Sequence, residues 1–338
     1  MILSNLFAVP LVLLTLLIAT ISGCATMHRD VPKESFPATQ YDAVLLQLSS
    51  RQPLNIDELA SKLEGIDVVI VGEYHGHHAS HLLQSSLQAA LYRQNPKQVL
   101  TMEQFELESQ LELNRYTEGE SGESEMIEDA AAWDNYRASY RPLVEFARTR
   151  DIPVLAANAP ADIVRCIGQK GPDYLDTLDE ERRRRLPQKP FVDTPAYEEK
   201  FIAAVSSSHG AGDPSTKERI QNIYHAQLLR DNTMAMRILD ARRAYPDHQI
   251  LHVTGTFHSE ERLGTVAMLE SRAPEISVAV ISPVFWRDPQ SPPPIEEHRL
   301  RGDFLYFIQP LPVEFRDPER KRAATNTRFS QSTLDPCN

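Results

Sequence analysis

Two segments of this chain end an apolar run in the same way. Residue Val71 is followed by Gly72-Glu73-Tyr74-His75, and Val253 by Thr254-Gly255-Thr256-Phe257-His258, so Gly-x-x-His occurs twice. A third run, residues 99–102, gives way to Glu103-Gln104-Phe105, and a fourth, residues 152–156, leads through Ala157 to Asn158. Imidazole titrates near neutrality and ligates metals through either ring nitrogen, and a carboxylate is a base or a ligand. Two histidines and a carboxylate, here His75, His258 and Glu73, can hold a divalent metal such as zinc or manganese with one position open. Water bound there becomes a hydrolytic nucleophile. Without a metal, Glu73 or Glu103 would be the general base and His258 the positioned acid. Taken singly, a strand-end histidine is a hydrogen-bonded structural residue and a strand-end glutamate is a helix cap. Glu73, His75, Glu103 and His258 become catalytic candidates through their joint placement.

The elements that must position them are short. Apolar, β-branched runs at residues 66–71, 99–102, 152–156, 250–253 and 276–281 alternate with helix-like segments such as 79–94. That alternation predicts an α/β fold, a mostly parallel central sheet flanked by helices. Ligands of such sheets bind beyond the carboxyl ends of the strands. One topological rule therefore gathers Glu73, His75, Glu103, Asn158 and His258 in one crevice. Each motif glycine is expected to permit a turn with positive φ that aims its histidine over the sheet. Residues 217–243 read as a helix whose apolar face carries Ile220, Ile223, Tyr224, Leu228, Ala235, Ile238 and Leu239. Gln227 and Asp231 fall on that face and Met234 follows one turn on. A buried unpaired amide or carboxylate costs at least about 1–3 kcal/mol, so both need partners. The strand-end cluster can supply them, or a structural network can pin helix to sheet. Gln227, Arg230, Asp231, Met234 and Asn158 are candidate ligand-binding residues on this reading. His75, His77, His78 and His81 crowd seven residues. His77 and His81 could chelate a metal at i, i+4 or simply decorate a helix start. The aromatics of Trp133-Asp134-Asn135-Tyr136 and Tyr140 could wall a flat ligand or fill core.

Over residues 161–216 the alternation stops, in what reads as a helical insertion or lid. Its run Arg182–Arg185 is either a solvated face or an anion site. Residues 51–310 form the α/β domain, and 311–338 a polar tail, disordered after about residue 318. The net charge of −12 argues against nucleic acid as a partner. Besides Cys24 only Cys166 and Cys337 are present, enough for one bridge in an oxidising compartment. Residues 1–23 carry no charged side chain, and the run from Leu6 to Ile21 ends at Ile21-Ser22-Gly23-Cys24. This resembles a bacterial lipobox after a signal peptide, although no Lys or Arg precedes the apolar run. An ordinary signal peptide with an incidental cysteine is the alternative. On the lipobox reading, Cys24 carries lipid such as palmitate and residues 24–50 are the lipidated N-terminus and a tether. The membrane is then a partner, and Ala25 suits passage to the outer membrane of a cell envelope.

Several motifs follow one another in an order that resembles a known family. They are Val-Gly-Glu-Tyr-His at 71–75, Met-Glu-Gln-Phe at 102–105, Trp-Asp-x-Tyr at 133–136 and Ala-Ala-Asn-Ala-Pro at 156–160. Ala-Gln-x-x-x-Asp-x-Thr-Met-Ala at 226–235 and Gly-x-x-His at 255–258 complete the set. Together, over about residues 60–270, they resemble the ChaN-like family of haem-binding lipoproteins, in the superfamily of Tiki, TraB and erythromycin esterase proteins. The resemblance implies a parallel-sheet core with a smaller helical part, and a role in haem or iron acquisition. It also implies haem sandwiched between two protomers of a homodimer. In hydrolytic relatives the paired Gly-x-x-His motifs and a glutamate mark the metal or catalytic centre, which maps to His75, His258 and Glu73 or Glu103. Haem iron is held axially by Tyr or His and its propionates by arginine. Tyr74, Tyr136, Tyr140 and His78 are the candidate ligands. Three function classes stand: a haem or small-molecule binder, a hydrolase, and a scaffold with a vestigial pocket.

Overall fold

In the computed structural model the described residues are 36–206, 214–330 and Cys337. The apolar leader, Cys24, the first part of the tether, Ser207-Ser208-His209-Gly210 and most of residues 331–338 lie outside them. Eight strands build one sheet: β1 (Val44–Gln47), β2 (Gln52–Leu54), β3 (Val68–Glu73), β4 (Gln98–Glu106), β5 (Val154–Asn158), β6 (Gln249–Gly255), β7 (Val278–Phe285) and β8 (Phe304–Ile308). Their order is β2-β1-β8-β7-β3-β6-β4-β5. All pairings from β8 to β5 are parallel, and only β1 runs antiparallel to its neighbours β8 and β2. This is the α/β sheet expected. β3 and β6 lie side by side at its centre, so the two Gly-x-x-His segments leave the same edge together, with β4 next to them.

Side chains alternate across the sheet, and each set meets its own helical layer. Val69, Val71, Leu251 and Val253 pack with Leu83, Leu87 and Leu91 of α2 (His78–Gln94). The same layer holds α1 (Ile56–Lys62), α3 (Gln110–Thr117), α4 (Glu123–Asp129), α5 (Tyr136–Ser139) and α6 (Arg141–Arg148). Val68, Ile70 and Ile250 face the other way, onto Ala235 and Ile238 of α10 (Pro214–Ala244) and Val266 and Leu269 of α11 (Thr265–Arg272). Burial on both faces is why the central strands are continuous β-branched runs.

The insertion is helical: α7 (Ala161–Lys170), α8 (Glu180–Arg185) and α9 (Pro195–Ser206). Ile163 and Ile167 of α7 pack with Leu229 of α10, and Tyr197 and Phe201 of α9 pack with Tyr224 and Leu228. Asp179 caps α8, and the arginine run divides. Arg182 reaches Asp162 and Glu108, whereas Arg184 and Arg185 face solvent beside Glu180 and Glu181.

Two boundaries are corrected. The tether reading of residues 24–50 fails over Val44–Gln47, because Leu46 is buried and β1 pairs antiparallel with both β8 and edge strand β2. Four residues with a single leucine pair are too short for period-2 alternation to register. The tail is not disordered from residue 318: α12 (Ile295–His298) is followed after β8 by α13 (Pro318–Ser330). Beyond it, Cys337 is disulfide-bonded to Cys166 of α7. No described helix is long and apolar enough to cross a membrane.

Candidate functional site

The two motifs build one site by leaning on each other. Neither motif glycine has positive φ, contrary to the expectation from sequence; Gly255 sits at φ −59°. What each requires is room. A Cβ on Gly72 would lie 2.9 Å from Ser259 Oγ and 3.1 Å from Thr256 Cα, in the loop that follows β6. A Cβ on Gly255 would lie 2.8 Å from His75 Nε2, in the loop that follows β3. The loops interlock, and a side chain at either glycine would part them.

Glu73 is buried among donors. Tyr140 donates its hydroxyl to Oε1 at 2.6 Å, Gln84 its amide to Oε2 at 2.7 Å, and His75 its Nδ1–H to Oε1 at 2.7 Å. His81 Nδ1 stands 3.4 Å from Oε2, and the Gly76 N–H donates to His81 Nε2. Burial works against the Glu73 charge, but the hydrogen bonds and charges of His75 and His81 outweigh it and hold the carboxyl down to about 2. Glu73 therefore stays ionised, and its oxygens are committed to orienting His75. The His75 imidazole is 45% exposed and stacks edge-on against Trp133. With Nδ1 held by a carboxylate, Nε2 is the nitrogen offered to a ligand. Burial disfavours its imidazolium, yet the bond to Glu73 and the charges of Glu103 and Glu73 raise its pKa overall.

His258 has a matching partner of different origin. Its Nδ1 lies 2.8 Å from Asp231 Oδ1, on α10, and its Nε2 3.6 Å from Glu103 Oε1, on β4. Asp231 is fully buried, and also accepts from Thr265 Oγ1 at 2.8 Å and Tyr197 OH at 2.7 Å. Gln227 Nε2 is 3.2 Å from Tyr197 OH and 3.3 Å from His258 Nδ1. Glu103 accepts from Thr254 Oγ1 at 2.7 Å and from the Gly255 N–H at 2.6 Å. Burial opposes its charge, and His258, His75 and these donors lower its pKa nonetheless. His258 is pulled down by burial and up by Asp231 and Glu103, and the net shift is upward.

A crevice of about 760 Å³ opens over Glu73, His75 and His258, whereas Glu103 and Asp231 support His258 without lining it. Glu73, Tyr74, His75, Gln227, Gly255 and His258 form its floor. Phe201, Val205, Phe257, Phe285 and Leu311 supply apolar walls, with Glu260 and Arg301 as the charged members. Tyr74 is half-buried, stacked on Phe285 at 4.1 Å, and its hydroxyl accepts from Arg301 at 3.2 Å. Burial raises its pKa and Arg301 pulls against that.

Other candidates from the sequence sit elsewhere. Tyr136 and Tyr140 are buried core aromatics, and Met234 lies fully buried under Thr254, so none of the three meets a ligand in the crevice. His78 is outside the crevice, stacked on Tyr41. Asn158 is buried on edge strand β5, accepts from Arg230 and its own neighbour Ala159, and does not line the crevice; nor does Arg230. The His77/His81 chelate also fails. His77 caps α2 through Nδ1 and donates from Nε2 to the Gln309 carbonyl, while His81 faces Glu73. Among the described residues no group of three or more His, Cys, Asp or Glu side chains is placed to hold a metal ion. The His75, His258 and Glu73 metal set fails geometrically, because Glu73 binds the far nitrogen of His75 and is saturated.

Sequence reasoning missed Phe201, Phe257, Phe285, Glu260, Arg301 and Leu311. Phe285 ends β7, and following that apolar run to its last residue would have found it. Arg301 precedes a strand. It reaches the site because β8 is shifted along β7, with Phe304 level with Ile281.

Comparison with known proteins agrees with the fold. A sequence profile described as haem-binding uptake, Tiki superfamily, ChaN matches residues 59–269. No curated protein sequence matches the chain. Among solved structures, ChaN of Campylobacter jejuni, described with cofacial haem binding, superposes with a TM-score of 0.61 at 15% identity. The alignment covers 80% of this chain and 98% of that one, which shows a common fold. A mutant of the erythromycin esterase EreC in its open conformation matches at a TM-score of 0.44 and 16% identity, covering 84% of this chain and 87% of that one.

Proposed function

Because the chain belongs to the ChaN family of the Tiki superfamily, the haem-binding uptake proteins, we propose that it binds haem in the crevice beyond β3 and β6, where His75 would hold the iron. The observation that carries this reading is the Glu73–His75 pair at 2.7 Å. A carboxylate on one ring nitrogen, itself locked by Tyr140 and Gln84, is how proteins orient an imidazole that ligates through the other. The crevice suits the group: its volume falls in the range of small-molecule sites, its walls are aromatic and aliphatic, and Arg301 is a cation within it. Haem would supply an iron for a histidine nitrogen to bind. The chain supplies the oriented donor, the flanking ring of Trp133 and the dry wall. Haemin titrated into the purified protein should give a saturable Soret band that His75→Ala shifts and weakens. An unchanged titration in that variant contradicts the assignment.

A role in haem or iron acquisition, a homodimer with haem between protomers, and an outer-membrane lipid anchor at Cys24 belong to the same proposal. The Ile-Ser-Gly-Cys junction supports the anchor. The Cys166–Cys337 disulfide supports an oxidising compartment outside the cytoplasm. Cys24→Ser should release the protein from membranes, and normal membrane partition of that variant counts against the lipobox.

One observation favours a second, hydrolytic reading. Glu103 Oε1 stands 3.6 Å from His258 Nε2, whose other ring nitrogen is held at 2.8 Å by Asp231. A base and an acid are thus poised side by side, without a metal. Turnover of small esters that disappears in Glu103→Gln would establish it, and turnover that survives would remove it.

A further inference from the structure

The haem reading takes Arg301 only as a cation in the crevice and leaves its partners Glu260 and Lys200 unused. Glu260, two residues beyond His258, is buried and lines the crevice. Its Oε1 lies 3.0 Å from Lys200 Nζ, on α9 of the insertion, and its Oε2 3.1 Å from Arg301 Nη1, ahead of β8. One carboxylate thus joins two cations from separate elements. Lys200 also lies 4.8 Å from the centre of the Phe257 ring, a wall of the crevice, and Arg301 Nη1 donates to Tyr74 OH. Glu261 reaches only the lysine, at 3.9 Å, and is itself 40% exposed.

The backbone here is strained. Glu261 and Arg262 are consecutive non-glycine residues in the left-handed region, at φ 63° and 57°. Such residues persist only where their surroundings over-determine them, and they gather at ligand clamps. The surroundings are visible. The Glu261 N–H donates to the Arg301 carbonyl at 3.1 Å, and the Arg262 guanidinium is tied to Glu270, Asp303 and the Val278 carbonyl. This clamp holds Glu260 and Arg301 face to face at the crevice.

We propose that Lys200 and Arg301 form a subsite for a carboxylate arm of the ligand, and that Glu260 competes with that arm for the two cations. The ligand class is a flat apolar body bearing carboxylates, which deepens the haem reading and rests on it for the identity of the body. Among the described residues both contacts to the Arg301 guanidinium fall on Nη1, and a guanidinium has five N–H groups in a planar fork suited to a carboxylate. The cations then serve two anions in turn. Glu260 satisfies them when no ligand is present, and lowers affinity for the acid form of the ligand.

The test uses iron-free protoporphyrin IX and its dimethyl ester, followed by fluorescence at low salt, so that axial ligation plays no part. Glu260→Gln should tighten the diacid about tenfold, the scale of one charge-assisted contact, and leave the ester within about twofold. Lys200→Gln and Arg301→Gln should each weaken the diacid and spare the ester, and Lys200→Gln leaves Glu260 and Arg301 in place should the other variants fold poorly. Diacid affinity that is unchanged or weaker in Glu260→Gln, a parallel change for the ester, or no diacid binding at all overturns the subsite. Haemin binding without axial ligation by His75, with the diacid pattern intact, overturns the haem-ligand assignment and leaves the subsite standing.

Discussion

The two strand ends carry the same four-residue pattern and come to opposite states. At the end of β3, His75 is nearly half exposed and takes its carboxylate partner from two residues away on the same strand. At the end of β6, His258 is buried, and its partner Asp231 comes from α10, the helix that precedes β6 in the chain. Local pairing leaves His75 free to face the crevice. Long-range pairing pins His258 between α10 and β4, and ties both to Tyr197 of the insertion. A repeated motif fixes where a histidine stands, and the origin of its partner decides whether it is a donor to ligand or a joint in the fold.

The sharpest way to break this contrast is Asp231→Ala. It strips a buried carboxylate from His258, Thr265 and Tyr197 at once, and breaking such a network costs about 3–5 kcal/mol. Denaturant midpoints should show that loss, while the molecules that remain folded keep their haem ligation. A variant that melts normally makes Asp231 incidental.

His75→Ala should do the reverse. Haem affinity should fall on the order of 100-fold, the upper end of what disturbing a metal ligand's support costs. Stability should change by only about 1 kcal/mol, since the side chain is partly solvated. Equal losses of stability in His75→Ala and His258→Ala would erase the distinction between the two ends.

Acid should act through the β3 end. Glu73 is ionised in the fold down to about 2, against an ordinary 4.5, so its contribution is fully present above 4.5. It is lost as pH falls from 4.5 through 2, because the unfolded chain takes up the proton first. The melting temperature of the haem-free protein should drop across that window. Glu73→Gln, less stable at neutral pH, should show a flatter acid limb, and a limb as steep as wild type would assign the acid transition elsewhere.

The smallest effects belong to the glycines. Gly255→Ala places a methyl 2.8 Å from His75 Nε2 without straining the backbone. Haem affinity should fall about tenfold as the imidazole turns away, with melting shifted by about 1 kcal/mol. Gly72→Ala presses instead on Thr256 and Ser259, and should cost stability more than affinity. If the two substitutions act alike, the loops do not interlock as described.

Much of this was legible in the residues. The central strands announce themselves because burial on both faces demands unbroken apolar runs, and the parallel rule then collects Glu73, His75, Glu103 and His258. Asp231 stood out as a charge on an apolar stripe. The exposed antiparallel edge was not legible, since β1 and β2 are too short for alternation to register. Tyr136 and Tyr140 were ambiguous because an aromatic suits core and ligand wall equally, and only burial separates the uses. Arg301 and Glu260 were invisible. One precedes its strand, and the other depends on two strained backbone positions that no local pattern signals.

The central claim, that His75 presents its free nitrogen to haem iron, is tested most directly by hyperfine spectroscopy of the ferric haem complex made with protein labelled with 15N at histidine. A single strongly coupled 15N that disappears in His75→Ala is the predicted result. Coupling that persists in His75→Ala, or is absent from the wild-type complex, would contradict it.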